Sequence, residues 1–186
     1  VLFTALTHAR EPVGMMNLIY FVQLLAEEYG TDPELTYLVN EREIWFLPVV
    51  NPDGYVYNES IQPNGGGMHR KNRLNTNCGD GTNRGVDLNR NYGFGWGANN
   101  TGSSPDPCAT TYRGESAFSE PETQVVRDFI TDREFMNVIH YHTYSNVYIH
   151  AYGNATLPDE PDLTTHREIG NEMARYNGYP VGTGYE

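Results

Sequence analysis

The feature that most constrains the fold is a nearly unbroken apolar run, EIWFLPVV, at positions 43–50. Apolar residues without polar alternation are typical of a strand that is covered on both faces, as in a largely parallel sheet. Another β-rich run, Val1–Thr7, opens the chain, and an amphipathic helix lies between the two. The order strand, helix, strand predicts an α/β fold. The residues predicted to face inward on that helix are Leu18, Phe21, Val22 and Leu25.

A long region with little periodicity, Tyr55–Thr111, follows a turn predicted at Asn51–Gly54. It is far longer than an ordinary connection, and its aromatic residues and cysteines favour an ordered functional region. Within it we expect one brief buried strand, Val86–Asn89. The later elements are predicted to be a helix from a capping box at Ser119–Glu122 to about Asp132, strands at Phe135–His142 and about Asn146–Tyr152, and a helix from about Leu163 to Tyr176.

The bulk composition excludes some classes of protein. The net charge is −12, with one lysine, Lys71, among twelve basic residues, which argues against nucleic-acid binding. The longest apolar runs are far too short to cross a bilayer, so we expect no membrane association. A chain of 186 residues supports one sizeable core, and we expect a single domain over residues 1–186. Because it opens directly in a strand and stops at Glu186 without a closing element, we expect it to be incomplete at both ends.

The two cysteines, Cys78 and Cys108, lie in the Gly-, Asn-, Ser- and Pro-rich region. A bridge between them would close a loop and stabilise the fold by about 3 to 4 kcal/mol in the chain-entropy model. Loop cysteines that can pair indicate export to an oxidising compartment. The alternative is two free thiols in a cytosolic protein.

A histidine and a glutamate lie three residues apart, at His8 and Glu11, where the first strand gives way to the first helix. Three residues is close to one helical turn, so both side chains can point at one spot in front of the strand. Together they supply two-thirds of a His2Glu zinc set, which leaves a coordination position for water. So short a motif also arises by chance, and the alternative is a surface histidine followed by a glutamate in the first helical turn.

A third ligand is available on a later strand. His140 and His142 lie two residues apart and therefore point to the same face of that strand. Either could complete the set, and spacing alone does not choose between them.

Five motifs follow one another in a fixed order along the chain. They are HARE at 8–11, MHRKNR at 68–73, GVDLNRNY at 85–92, YRG at 112–114 with SEPE at 119–122, and HTYSN at 142–146. In that order they closely resemble the zinc carboxypeptidase family, the carboxypeptidase A/B-like metallocarboxypeptidases, over nearly the whole chain. The resemblance implies a three-layer α/β/α fold around a mixed, largely parallel sheet.

The resemblance also implies roles for individual residues. One zinc ion would be bound by His8, Glu11 and His142, which selects His142 over His140. Asp87 would accept a hydrogen bond from a zinc-binding histidine, and Cys78 would pair with Cys108. Arg70 would polarise the scissile carbonyl as the catalytic arginine. The expected substrate-binding residues are Asn89 and Arg90, which would hold the terminal carboxylate, with Tyr144 lining a subsite and Arg10 between the two ligands of the first motif.

The activity implied is hydrolysis of the C-terminal peptide bond of peptides that carry a free carboxylate. In the family, the general-base glutamate, a lid tyrosine and the residue at the floor of the specificity pocket lie past the region matched here, beyond Glu186. We therefore expect this chain to bind zinc and to turn over poorly or not at all. A monomer that is secreted or periplasmic is expected. The alternatives are a zinc amidohydrolase acting on small N-acyl amino acids and a non-catalytic module that binds zinc and carboxylates.

Overall fold

The computed structural model describes residues 1–153 and 156–184, and the chain divides into two units, Val1–Thr143 and Tyr144–Glu186. The first unit contains strands β1 (Leu2–Thr4), β2 (Trp45–Leu47) and β3 (Val138–His140). Its helices are α1 (Pro12–Glu27), α2 (Pro33–Glu41), α3 (Pro52–Ile61) and α4 (Pro121–Thr131), with a short 3₁₀ helix at Leu88–Arg90. Helices combined with a parallel sheet confirm the predicted α/β fold.

The sheet of the first unit has the strand order β2-β1-β3, and both strand pairs are parallel. Thr4 lies opposite Leu47 on one side and His140 on the other. Backbone hydrogen bonds continue past the strand ends, from Tyr141 N to Thr4 O at 2.8 Å and from Asn51 N to Leu6 O at 3.1 Å. Because parallel strands end at the same edge, the segments that follow β1, β2 and β3 meet there.

Helix α1 covers one part of this sheet and begins at Pro12, as predicted. Leu18 and Leu25 are buried, and the Phe21 ring packs edge-on against both Phe3 and Phe46, with centroids 5.6 Å apart in each pair. Val22 was predicted to face inward, and this is wrong because the residue is 42% exposed. The helix is apolar on more than one face, so spacing alone misplaced one of its residues.

Two further predictions of local structure are wrong. Asn51–Gly54 begins helix α3 instead of forming an isolated turn, because the Asn51 side chain accepts a hydrogen bond from Gly54 N and Pro52 occupies the first helical turn. Val86–Asn89 is not a strand. Val86, Asp87 and Leu88 are buried as expected, but the Asp87 side chain accepts a hydrogen bond from Asn89 N and caps the 3₁₀ helix.

Helix α4 begins at Pro121, close to the predicted start, but the capping box does not form. Ser119 Oγ donates to Glu120 Oε1 at 2.7 Å, and the N-cap of the helix, Glu120, makes no side-chain capping bond to the residues described. Helix α2 was not predicted; Asp32 caps it by accepting hydrogen bonds from Glu34 N and Leu35 N.

The long region of the first unit is closed by the disulfide Cys78–Cys108, as the family resemblance implies. The bridge spans 30 positions of sequence, for which the chain-entropy model gives about 3 to 4 kcal/mol of stabilisation. In the part of the chain that the structure describes, no helix is both long and apolar enough to cross a membrane.

The second unit contains strands β4 (Tyr148–Ile149) and β5 (Val181–Gly182), which pair in parallel, helix α5 (Asp162–Met173) and a 3₁₀ turn at Ala174–Tyr176. A Cβ atom at Gly170 would lie 2.5 Å from Val181 Cγ1, so glycine allows α5 to approach β5 closely. The single domain expected over residues 1–186 stays a prediction.

The only lysine of the chain, Lys71, is fully buried in the first unit. Its Nζ donates to the carbonyls of Ala109 at 2.8 Å and Pro107 at 3.2 Å, on either side of Cys108. Burial lowers the pKa of Lys71 to about 8, against the opposing attraction of Asp87 and Asp106. The ammonium therefore links the segment that carries Arg70 to the disulfide loop at a cost in desolvation.

Because Lys71 is buried, the stability of the chain depends on pH in the alkaline range. Below pH 8 both folded and unfolded chains carry the charged lysine; between pH 8 and about 10.4 only the unfolded chain keeps the proton, so the folded state gains stability as pH rises. We expect the free energy of unfolding of the wild type, relative to Lys71→Met, to rise by up to about 3 kcal/mol from pH 7.5 to 10.5. Urea unfolding of both proteins at several pH values measures this difference in the free energy of unfolding. Tyrosines also titrate in this pH range, but both proteins contain them, so their contribution cancels in the difference. A flat difference would contradict it.

Candidate metal centre

His8 and Glu11 are held in the turn that joins β1 to α1. Both are buried, with 3% and 6% exposure, and Glu11 is the N-cap residue of the helix. Glu11 N donates to His8 O at 3.1 Å, which closes the turn and brings the two side chains to the same side. His8 Nδ1 lies 2.8 Å from Glu11 Oε1.

His142 joins them from the segment that follows β3. Its Nδ1 lies 2.9 Å from Glu11 Oε2 and 3.1 Å from His8 Nδ1. The three ligand atoms are all within 4.8 Å of one another. Zinc bonds of 2.0–2.1 Å in a tetrahedral arrangement place ligand atoms about 3.3 Å apart, so only a small expansion is needed to hold an ion.

His140 does not belong to this group of ligand atoms. Its Nδ1 is hydrogen-bonded to Thr4 Oγ1, at 2.6 Å, within the sheet. The parallel pairing of β3 with β1 explains the difference, because it places His140 opposite Thr4 and His142 beyond the strand end. The geometry thus favours His142 at the point where sequence spacing left the choice open.

The chemistry of His8 fits a metal ligand. Its Nε2 lies 3.2 Å from Asp87 Oδ1, and in the neutral ring this nitrogen is the donor because a carboxylate only accepts. The lone pair of Nδ1 then faces Glu11 across 2.8 Å, which brings two acceptors together unless a proton or a metal ion lies between them. A metal-binding histidine usually donates a hydrogen bond from its other ring nitrogen to a carboxylate, which fixes its tautomer.

Glu11 is ionised at neutral pH. Burial alone would raise the pKa of its carboxyl group, but the imidazoles of His142 and His8 and a hydrogen bond from Thr143 N together lower it to about 2. A buried carboxylate beside two imidazoles supplies the negative charge that a divalent cation requires.

Asp87 is completely buried and has two partners besides the 3₁₀ helix that it caps. Its Oδ2 accepts hydrogen bonds from Arg70 Nε at 3.0 Å and Nη2 at 2.9 Å, while Oδ1 faces His8. Although burial opposes ionisation, the contact with His8 and the charge of Arg70 hold the pKa of Asp87 below its ordinary value. Asp87 therefore fixes a ligand and an arginine at once.

Arg70 extends from Asp87 towards the three ligand atoms. Its Nη1 lies 3.2 Å from His8 Nδ1 and 3.8 Å from Glu11 Oε1, and its side chain is 13% exposed. The guanidinium is thus a fixed positive group beside the candidate metal site; the catalytic role that the family resemblance implies for Arg70 stays a prediction.

The remaining predicted residues are more exposed. Asn89 is exposed, and Arg90 is half-buried, with Nε donating to Gly102 O at 2.6 Å and Nη1 to Asn89 O at 3.0 Å. Arg10 is half-buried, and Tyr144, in the second unit, is 97% exposed. The substrate-binding roles of these four residues stay predictions.

Sequence reasoning missed the part played by Asn51. Its Nδ2 donates to the carbonyls of Lys71 at 3.0 Å and Thr7 at 3.3 Å, which ties the segment that carries Arg70 to the segment that carries His8. The available signal was an asparagine before a proline at a strand end, and it was interpreted as a turn; the structure shows that this asparagine is fully buried.

Fold and site together define an α/β protein with a candidate metal centre of the His2Glu type. A family model described as zinc carboxypeptidase matches residues 1–185. The chain belongs to the zinc carboxypeptidase family.

Individual relatives and a solved structure agree with this assignment. Carboxypeptidase A2 of Rattus norvegicus is 35% identical over 181 residues, which cover 96% of this chain and 41% of that protein. An inactive metallocarboxypeptidase ecm14 of Sclerotinia sclerotiorum is 30% identical over 177 residues, 90% of this chain and 28% of that protein. The crystal structure of carboxypeptidase A from Helicoverpa armigera superimposes with a TM-score of 0.80 at 33% identity, over 98% of this chain and 44% of that one. The predicted carboxypeptidase-like fold is thus confirmed, and this chain spans less than half the length of each of these proteins.

Proposed function

We propose that this chain forms the zinc-binding part of a metallocarboxypeptidase that hydrolyses the C-terminal peptide bond of peptides. The observation that carries the proposal is the convergence of His8, Glu11 and His142, whose ligand atoms lie within 4.8 Å of one another. Arg70 beside them and Arg90 on the neighbouring 3₁₀ helix supply the two positive groups that such a reaction requires.

His8, Glu11 and His142 would hold one zinc ion and leave a position for water or substrate. When bound, zinc acts as a Lewis acid that lowers the pKa of a coordinated water and polarises a carbonyl. Arg70 is held by Asp87 and can donate hydrogen bonds to the oxygen on which negative charge develops. Because this guanidinium is already oriented, little reorganisation is needed during the reaction.

Arg90 and Asn89 would select a free chain end. With Nε of Arg90 bonded to Gly102 O, the edge formed by Nη1 and Nη2 is left for a substrate carboxylate. Two parallel hydrogen bonds from a guanidinium to a carboxylate are strong and directional, and Asn89 adds a neutral donor. Peptides with a free C-terminal carboxylate are therefore the proposed substrates, with Tyr144 and Arg10 as further substrate contacts.

Turnover by this chain alone is proposed to be weak, because no glutamate in it is assigned as the general base. A second candidate, a module that binds zinc and carboxylates without catalysis, is favoured by the similarity to a relative named as an inactive metallocarboxypeptidase. Release of a C-terminal amino acid by the zinc-loaded chain at a normal rate would reject both the weak turnover and the non-catalytic module. Hydrolysis of N-acyl amino acids but not of peptides would support the small-molecule amidohydrolase.

The compartment proposed is extracellular or periplasmic. The Cys78–Cys108 disulfide supports an oxidising environment, where such bridges form and persist. A monomeric state stays a prediction.

Recognition of the free carboxylate is tested by Arg90→Ala. The zinc-loaded chain is titrated calorimetrically with benzoyl-glycyl dipeptides that end in Phe, Leu, Arg or Glu, each as the free acid and as the C-terminal amide. We expect the wild type to bind at least one free acid about tenfold to a hundredfold more tightly than its amide, as charge-assisted hydrogen bonds allow. Arg90→Ala is expected to reduce this preference to about threefold or less.

The matched control is Arg127→Ala on α4, whose guanidinium is exposed and pairs with Asp128. Its preference should equal that of the wild type. A wild type that binds acid and amide equally in all four series would refute the proposed carboxylate recognition.

A further inference from the structure

We propose that Arg113 is a positioning residue that holds the guanidinium of Arg90 in the orientation required for a substrate carboxylate. The inference rests on the proposed function of Arg90 and deepens it. It depends on three groups of contacts in the first unit: those of the Arg90 side chain, those of the Arg113 side chain, and those of the backbone that joins the two.

The orientation of Arg90 depends on one distant acceptor. Nε donates to Gly102 O at 2.6 Å, and the other bond, from Nη1 to Asn89 O, is to its own neighbour in sequence. Nη2 makes no hydrogen bond to any residue that the structure describes. If Gly102 O moves, the free edge of the guanidinium turns with it.

Gly102 belongs to an exposed segment, 99–102, that would be mobile without further support. Arg113 supplies that support from one side. Its Nη1 is surrounded by three acceptors of the loop, Asn100 Oδ1 at 3.0 Å, Asn99 O at 3.3 Å and Ser103 Oγ at 3.3 Å, which share its two hydrogens. These acceptors lie on both sides of Gly102, so the guanidinium of Arg113 fixes the carbonyl that Arg90 uses.

The guanidinium of Arg113 is itself fixed by packing. Its central carbon lies 5.5 Å from the centre of the Trp96 ring, and Trp96 Nε1 donates to Arg113 O at 3.0 Å. Arg113 N donates to Ser104 O at 3.1 Å, just past the supported segment. A cation–π contact with an indole ring is favourable for a guanidinium and restricts its rotamers.

The backbone of Arg113 is joined to the 3₁₀ helix that carries Arg90. The fully buried Asn91 donates from Nδ2 to Arg113 O at 2.9 Å, and Asp87 N donates to Tyr112 O at 2.8 Å. The backbone that carries Arg90 and the Gly102 carbonyl that accepts from its guanidinium are therefore both held by contacts with Tyr112–Arg113. Because Asp87 also contacts His8 and Arg70, these contacts set the position of the Arg90 guanidinium relative to the candidate metal centre.

Such support matters because an arginine side chain loses much rotamer freedom when it is held by a ligand. A side chain already held in its binding orientation pays less of that entropy on association. We expect the loss of affinity only for ligands with a terminal carboxylate. A terminal amide is neutral and has one acceptor oxygen, so it does not form two parallel charge-assisted hydrogen bonds with Nη1 and Nη2.

The test is Arg113→Met, which keeps an unbranched apolar stem of similar bulk beside Trp96 and removes the donors to the loop. In the acid and amide titrations described above, we expect the preference for the free acid to fall about threefold, and by less than Arg90→Ala lowers it, with zinc stoichiometry and amide affinity unchanged. Arg127→Met, which removes the same charge from an exposed position on α4, should leave the preference unchanged. In an Arg90→Ala background, Arg113→Met should have no further effect on the preference.

A second variant covers the case in which Arg113→Met does not fold. Asn100→Ala combined with Ser103→Ala removes two loop acceptors and keeps Arg113, and it should also lower the preference for the acid. A folded, zinc-loaded Arg113→Met, or that double variant, with the wild-type preference would overturn the role of Arg113 and leave the function of Arg90 intact. Equal binding of acid and amide by the wild type would instead overturn the proposed function itself.

Discussion

Replacing His142 by alanine is expected to abolish stoichiometric zinc binding, whereas His140→Ala is expected to retain one zinc ion per chain. His142 Nδ1 lies 2.9 Å from Glu11 Oε2 and 3.1 Å from His8 Nδ1, so its loss leaves a two-ligand site that does not compete with buffer for the ion. His140 bonds to Thr4 and contributes no ligand atom to this group. The two variants are matched, since both remove an imidazole from the same short segment.

The measurement is elemental analysis of each purified protein after equilibration with one equivalent of zinc and removal of loosely bound metal. Circular dichroism of the metal-free proteins shows whether both variants are folded. Zinc retained by His142→Ala and lost by His140→Ala would reverse the ligand assignment.

The second large effect is expected at Asp87. Replacement by alanine removes the hydrogen-bonded carboxylate of the Arg70 guanidinium, which is only 13% exposed and keeps only the longer 3.8 Å carboxylate contact with Glu11 Oε1, and it removes the hydrogen-bond partner of His8 Nε2. Breaking a buried ion pair by removing one member costs about 3 to 5 kcal/mol, so we expect a fall of this size in the free energy of unfolding. Asp87→Asn, which keeps the shape but not the charge, is expected to weaken zinc binding by about tenfold to a hundredfold.

Denaturant unfolding of the metal-free proteins and competition with a chromogenic zinc chelator measure the two effects separately. Adding Arg70→Met to Asp87→Ala should recover part of the lost stability, because the mostly buried guanidinium that lost its hydrogen-bonded carboxylate is then gone. Asp80→Ala is the control, since Asp80 forms an ion pair with Arg84 while its side chain is 92% exposed, and such a pair contributes little. Equal effects of the Asp80 and Asp87 substitutions would contradict the account.

The elements that the sequence predicted well carry strong local signals. Strands β1 and β2 are apolar runs, and α1 and α4 begin at prolines that suit a first helical turn. Helix α2 carries a similar local signal, Pro33 after the N-cap residue Asp32, but it was missed, and none of its residues is buried. The start of α3 was hidden because Asn, Pro, Asp and Gly serve both turns and helix N-termini.

The site residues also divide into those that sequence motifs proposed and those that the sequence did not determine. His8, Glu11, Arg70 and Asp87 were proposed from motifs, and the structure brings them into contact. Choosing between His140 and His142 from the residues alone was not possible, because a strand with both histidines on one face does not reveal where its pairing ends. The contacts of Arg113 join segments that are 9 to 22 residues apart through a loop without periodicity, so no sequence pattern predicts them.

The most direct test of the central claim is a crystal structure of the zinc-loaded chain with anomalous diffraction data collected at the zinc edge. The account predicts one strong peak with His8 Nδ1, a Glu11 carboxylate oxygen and His142 Nδ1 at about 2.0 to 2.2 Å from the ion. A peak bound by other residues, or a zinc-soaked crystal with no peak between these three side chains, would contradict it.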